Sequence, residues 1–409
     1  MTKKEMIVAG VMSGTSADGI NVALVRMGTR QTEARTSSRR RAPRAQVRRS
    51  HTLFELLGHA EYSYPKQVRA AVLAAMNAER ASVADLARLN FLLGELYADA
   101  VLAAQRKLRV KAQLVGCHGQ TLYHQGEPQT FLGHKVAATW QTGEAAIVAA
   151  KLGIPVVSDF RPADMAAGGK GAPLVPFLDY MLFRDARRGR IVQNIGGIAN
   201  LTAIPAGANV TAVIAFDTGP GNMVIDAVAE KLFRVPFDRG GKIGASGEVL
   251  YPVIDKILRR DFFRKKPPKT AGREEFGREF VRDFLQSCGR SRKQDVVATA
   301  TALTARSIAD AVRKYALPQT GSAQTPGFHE MILSGGGTKN STLVDMLTTE
   351  LASLGLRVRF SDEFGLPSAA KEAVAFAVLA HETWHRRPSN IPSATGAKRA
   401  AVLGKISYP

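Results

Sequence analysis

Between two short apolar stretches near the N-terminus lies Gly10-Val11-Met12-Ser13-Gly14-Thr15-Ser16-Ala17-Asp18-Gly19-Ile20-Asn21. Glycines there let the backbone approach a ligand, N–H groups and hydroxyls can bond phosphate oxygens, and Asp18 adds a carboxylate. The run is neither Gly-x-x-x-x-Gly-Lys-Ser/Thr nor a Gly-x-Gly-x-x-Gly opening a helix, so neither of those nucleotide motifs accounts for it. An ordinary hairpin turn draws on the same residue types. Two more glycine-rich turns follow, one from Asn194 to Asn200 around Gly196 and Gly197, the other Gly335-Gly336-Gly337 running on to Asn340. One such turn says little. Three at strand ends can offer N–H donors to a nucleotide from two sides, and the last precedes a helix whose N-terminus favours an anion.

The titratable candidates are few. Asp217 is expected at a strand end, in a turn stiffened by Pro220 and opened by Gly219 and Gly221. A carboxylate held there serves either as a general base or as an Asx-turn closing the loop. Arg161 stands between Asp159 and Asp164; it either forks onto a substrate carboxylate or pairs with one of those two. His118, beside Gly119, either bonds a sugar hydroxyl or carbonyl or is a satisfied structural residue. Glu372 opens the last helix and offers a carboxylate to a Mg²⁺ ion through water. Eight histidines and two cysteines show no zinc-ligand spacing.

The elements that must hold these residues read as follows. A hairpin is predicted around the first turn, then helices over 68–79 and 83–108, a strand over 112–116 that leads into Cys117-His118-Gly119-Gln120-Thr121, a helix over 142–151 and a strand over 154–159. A second strand–turn–strand begins near Arg190, followed by a strand over 213–216, helices over 223–232 and 296–315, a strand over 331–334, a helix from 341 and another over 369–384. This alternation predicts a largely parallel sheet with ligands beyond the strands' C-terminal ends. The two halves, each starting with a glycine-turn hairpin, predict a two-domain enzyme that closes on its ligand.

At 409 residues two domains are the natural expectation, and 45% hydrophobic with 7% aromatic residues suits a soluble globular chain. Two cysteines, Cys117 and Cys288, fit a reducing cytoplasm, and no signal peptide or membrane span is expected. The net charge is +21, of which residues 30–50 carry +7, leaving +14 elsewhere. That segment holds eight arginines with Ser, Thr, Pro and Gln and no interleaved aromatics, so it reads as a solvated insertion. No base-stacking or groove-reading element accompanies it, and a nucleic-acid partner is not expected.

Taken together, the runs resemble the anhydro-N-acetylmuramic acid kinase family of the sugar kinase, Hsp70 and actin superfamily. They are Gly10 to Gly19, Cys117-His118-Gly119-Gln120-Thr121, Ser158 to Gly169, Gly171 to Pro176, Asn194 to Asn200, Phe216 to Asn222, Pro267-Pro268-Lys269-Thr270, Ser334 to Gly337 and Lys371-Glu372-Ala373 with Phe376-Ala377. The resemblance runs from Ile7 to Gly404 and leaves residues 30–50 outside. It implies an α/β fold of two actin-like (ribonuclease H-like) ATPase domains with a central cleft. The first spans 1–185, the second 186–368, and 369–409 returns to the first.

The implied reaction takes water, ATP and 1,6-anhydro-N-acetylmuramic acid to N-acetylmuramic acid 6-phosphate and ADP, with Mg²⁺, in cytoplasmic cell-wall recycling. By resemblance Asp217 activates the water, Arg161 holds the sugar's lactyl carboxylate with His118 and Asp164 beside it, and Glu372 lies near metal and phosphates. Gly14, Thr15, Ser16, Ala17, Asp18, Gly19, Ile20 and Asn21 embrace the ATP phosphates, with Gly196, Gly197, Gly335, Gly336 and Gly337 as further nucleotide contacts. The resemblance also implies a homodimer. Asn21 departs from the family's usual Asp, losing one acidic contact near the phosphates. Another sugar or carboxylate kinase of the superfamily is the alternative, and a nucleotide-binding protein without turnover is a third reading.

Overall fold

The computed structural model describes residues 5–14, 17–31, 50–317 and 327–409. Thr15, Ser16 and most of the arginine-rich segment, residues 32–49, lie outside the described residues. The chain divides into two units. One comprises 1–178, 369–390 and 397–409; the other comprises 179–368 and 391–396.

The first unit is built on β1 (Met6–Met12), β2 (Gly19–Gln31), β3 (Ser50–Ser63), β4 (Leu114–Cys117), the hairpin β5 (Gln120–Phe131) and β6 (His134–Thr142), and β7 (Val156–Ser158). The main sheet has the order β3-β2-β1-β4-β7. β2 runs antiparallel to β1 and β3, whereas β1, β4 and β7 are mutually parallel. The apolar run of β1 is continuous because both faces of the sheet are covered. Ala9 and Val11 join a core with Leu93, Tyr97 and Val101 of the helix Val83–Leu108. Gly10 points the other way, to the helix Lys371–Trp384. A Cβ on Gly10 would stand 1.8 Å from the Ala373 carbonyl oxygen, and one on Gly116 of β4 2.1 Å from that of Phe376. Glycine is needed there so that helix and sheet can touch.

The second unit repeats the plan with β8 (Gly189–Ile195), β9 (Ile198–Ile204), β10 (Ile214–Pro220), β11 (Phe328–Ser334) and β12 (Arg357–Phe360), in the order β10-β9-β8-β11-β12. Again the second strand is antiparallel to its neighbours and the rest run one way. This is the ribonuclease H-like strand order, present twice. A last strand, β13 (Lys405–Ser407), adds antiparallel to the edge of β7. The helix Lys293–Ala311 is buried along most of its length and packs on β10 and the helix Asn222–Phe233.

Three expectations change. The sheets are mixed rather than largely parallel, since each carries an antiparallel hairpin. Thr142 ends β6, and the helix begins only at Ala145; Glu144 is its N-cap, accepting from the Ala146 N–H at 3.1 Å. β10 does not stop at Phe216 but continues through Pro220, with a bulge at Thr218. Pro220 is tolerated because it closes the strand, on an edge of the sheet.

Candidate active site

In the first unit the loop after β1 carries the first glycine turn. Ala17 has φ 51°, and its N–H donates to the Gly14 carbonyl at 3.1 Å. Its methyl group lies in the hydrophobic core, as does the Ile20 side chain. Ser13 Oγ fixes the loop: its single O–H donates to Gln120 Oε1 at 2.6 Å, with Gly19 O also in reach at 3.1 Å, while Tyr64 OH donates to Ser13 Oγ at 2.9 Å. Gly14, Asp18, Gly19, Ile20 and Asn21 line a cavity of about 300 Å³ together with Glu372, and Glu61, Tyr62 and Ser63 of β3 complete it. Asp18 pairs with Arg69 at 3.1 Å. Asn21 Oδ1 is buried and has no hydrogen-bond partner among the described residues. Glu372 keeps an exposed side chain at the start of its helix, and desolvation by the atoms packed around its carboxyl raises it above the usual range, against the charges of Lys371 and Arg161.

His118 and Arg161 meet in the same unit. His118 is buried beside the Phe376 ring, with centroids 4.5 Å apart. Its Nδ1 lies 2.8 Å from Gly119 O, and its Nε2 lies 3.2 Å from Arg161 Nε and 3.0 Å from Nη2. A carbonyl on one side and a guanidinium on the other assign the proton to Nδ1 and leave Nε2 as acceptor. Burial, then the Arg161 charge, pull the imidazole down to about 3, so it stays neutral. Arg161 Nη1 also donates to Gly171 O at 2.9 Å. Arg161 therefore pairs with neither Asp159 nor Asp164, and each Nη keeps one further N–H to donate. Burial brings its guanidinium down to about 10. Asp164 is fully buried; Oδ2 accepts from Gly171 N–H at 2.8 Å and Oδ1 from Asn390 Nδ2 at 2.7 Å. Asp159 sits at φ 52° and pairs with Lys405 at 3.1 Å.

In the second unit, Asp217 of β10 pairs across to Asn200 of β9, Asn200 to Asn194 of β8, and Asn194 to Ser334 of β11. These four residues form one row across the sheet. The Gly196-Gly197 and Gly335-Gly336-Gly337 turns begin one or two residues beyond that row, on neighbouring strands. The carbonyls of Gly196 and Gly197 accept from the N–H groups of Asn222 and Gly221 at 2.8 and 2.9 Å. Gly335, at φ 90°, passes so close to Ile195 that a Cβ there would stand 2.6 Å from its carbonyl oxygen.

Asp217 is held by the segment after Pro268. Its N–H donates to Lys269 O at 3.0 Å, and its Oδ2 accepts from Ala271 N–H at 2.7 Å. Burial pushes the carboxyl up to about 7, against that N–H and the Lys269 charge, with Glu274 adding to the rise. A carboxylate so tuned can take a proton near neutral pH.

A profile of anhydro-N-acetylmuramic acid kinases matches residues 6–409. The chain belongs to the anhydro-N-acetylmuramic acid kinase family. Relatives bearing that name from Bacillus cereus strain AH187 and Bacillus anthracis strain CDC 684 / NRRL 3495 are each 40% identical over 407 residues. The match covers 99% of this chain and all of each relative. Among solved structures, a ROK family glucokinase from Streptomyces griseus in complex with glucose and AMPPNP aligns at 12% identity and a TM-score of 0.38. That alignment covers 92% of this chain and 99% of the glucokinase.

Two groups at these sites went unassigned in the sequence. Glu61, Tyr62 and Ser63 reach the cavity only through β3, which follows the arginine-rich segment and carries no motif. Lys269 stood in a family-like run, Pro267 to Thr270, but nothing in its spacing tied it to Asp217, 52 residues away.

Proposed function

We propose that this chain transfers the γ-phosphoryl group of ATP to O6 of 1,6-anhydro-N-acetylmuramic acid while water opens the anhydro bridge. The products are N-acetylmuramic acid 6-phosphate and ADP, in cytoplasmic recycling of the cell wall. Membership of the family supports the reaction class. The observation that carries the mechanism is Asp217, half-buried, anchored by the Ala271 N–H and raised to about 7. O6 is locked in an ether bridge and has no proton to lose, so the group that needs a base is water. Water gives its proton to Asp217 as its oxygen bonds to the anomeric carbon. The C1–O6 electron pair stays on O6, which attacks the γ-phosphorus, and ADP departs.

Arg161 takes the sugar's lactyl carboxylate on its two remaining N–H groups, a bidentate contact. His118 acts on Arg161 by accepting from its other edge, and Asp164 by holding the Gly171 turn that Arg161 grips. The turn from Gly14 to Asn21, with Gly196-Gly197 and Gly335-Gly336-Gly337, receives the nucleotide.

A magnesium ion fits the oxygen donors at hand. Glu372 and Asp18 border one cavity, and the orphaned Asn21 Oδ1 is a hard acceptor with nothing to accept. No group of three His, Cys, Asp or Glu side chains capable of holding a metal occurs among the described residues. One or two carboxylates plus phosphates is the usual way a kinase holds Mg²⁺. The ion would neutralise phosphate charge when bound.

The deciding experiment is turnover in ¹⁸O-labelled water with MgATP and the anhydro sugar, quenched before hydration of the open-chain aldehyde exchanges the anomeric oxygen with solvent. Label at the anomeric hydroxyl of a 6-phosphate is expected. A phosphorylated product without label would indicate an ordinary sugar kinase.

A further inference from the structure

Lys269 is 2% exposed, which is rare for a lysine. Its Nζ lies 4.5 Å from the Phe262 ring centroid, 5.4 Å from that of Tyr315 and 5.9 Å from that of Phe216. It donates a hydrogen bond to Phe262 O at 3.1 Å. Three aromatic faces and a carbonyl offset part of the cost of desolvating an ammonium. Leucine or methionine would fill an aromatic cage at no such cost, so packing alone does not call for a charge here.

The cage is joined to Asp217 at both ends. Phe216 precedes Asp217 in β10, and the Lys269 carbonyl accepts the Asp217 N–H. Two residues on, Ala271 N–H holds the carboxylate. We propose that Lys269 is a positioning residue for Asp217: its caged ammonium fixes the 269–271 segment that clamps the aspartate, and its charge keeps that carboxylate ionised to receive a proton. This rests on the reading of Asp217 as the base.

The charged groups around the pair are few. Asp217 feels Lys269 and Glu274, with opposite signs. Lys269 feels Asp217, which favours its charge, and Lys265 and Lys314, which oppose it. Burial lowers Lys269 to about 8, still above the value of about 7 for Asp217.

The test is kcat against pH for wild type, K269M, K269R and D217N, with MgATP and the anhydro sugar. Without the ammonium the acid limb of K269M is expected to move up by about half a pH unit or more. That is a roughly threefold loss of turnover at a pH below the wild-type midpoint. K269R keeps the limb near the wild-type position, and the KM for ATP is unmoved in both. A purely structural lysine would lower turnover at every pH and leave the midpoint in place. An unmoved limb in K269M, or the same displacement in K269R, overturns the role of Lys269. Should K269M not fold by circular dichroism, K269Q replaces it with the same outcomes. D217N separates the two readings. Inactive D217N with an unmoved K269M limb removes Lys269 alone, whereas active D217N removes the base and this inference with it.

Discussion

Asp217 binds its proton more tightly in the folded chain than in the unfolded one, the carboxyl having moved from 3.8 to about 7. Between those values the native state holds more protons, so stability falls as pH rises through the window and the penalty stands in full above it. D217N keeps an oxygen for the Ala271 N–H and removes the half-buried, desolvated charge. It is expected to lose turnover by roughly 10²–10⁴-fold. It should also melt a few degrees higher than wild type at pH 8, a gain of about 1–2 kcal/mol that vanishes toward pH 4. Thermal scans at the two pH values check the sign. A variant that is both inactive and less stable at pH 8 would contradict a desolvated carboxylate. Arg161 gives a complementary result. R161K keeps a positive charge but not the fork, and it abandons His118 Nε2. The KM for the sugar should rise about tenfold or more while that for ATP holds. An equal rise in both would place Arg161's effect elsewhere.

At the scale of elements, what the sequence made legible depends on where the deciding contact lies. The helix Val83–Leu108 was legible to the residue, since apolar spacing marks its buried face and Ser82 caps it from Asp85 N–H at 3.3 Å. The ends of β10 were not, because Gly219 and Pro220 are breakers by local rule and only pairing with β9 keeps them extended. The β5–β6 hairpin was missed altogether: its residues are largely exposed, so no apolar alternation marks it. At the site, Asp217, Arg161, His118 and Glu372 could be named from residue type and resemblance. That His118 spends both ring nitrogens on Gly119 and Arg161 is a long-range fact no local pattern carries. Gly10 shows the same limit. It opens the same run as the ligand turn, yet it serves the contact between β1 and the helix Lys371–Trp384. Even alanine should fail there. G10A is expected to lose about 3 kcal/mol or more, because the opposing atom is backbone and cannot turn aside. G28A, whose Cβ would meet nothing closer than 3.9 Å, should stay within about 0.5 kcal/mol. Urea midpoints compare the two directly.

Across the whole molecule one strand order is used twice, and each copy brings its glycine turn to the end of its first strand. Residues 32–49 interrupt that plan and carry +6 of the net +21. β2 and β3 stay paired as far as Gln31 opposite Ser50, so the ends of the segment are neighbours whatever lies between them. A two-residue Asn-Gly turn can join strands in that register. Replacing residues 32–49 by Asn-Gly is therefore expected to leave kcat/KM within about twofold and the melting temperature within about two degrees, as for other surface changes. Elution from a cation exchanger should nonetheless move to lower salt, because the variant keeps +15. Should turnover fall with the charge and the gap to wild type close as ionic strength rises, the segment steers ATP toward the enzyme, since screening removes the long-range part of the field. Loss of turnover at every salt concentration would instead make the arginines part of the reaction, against the placement of every proposed site residue outside them.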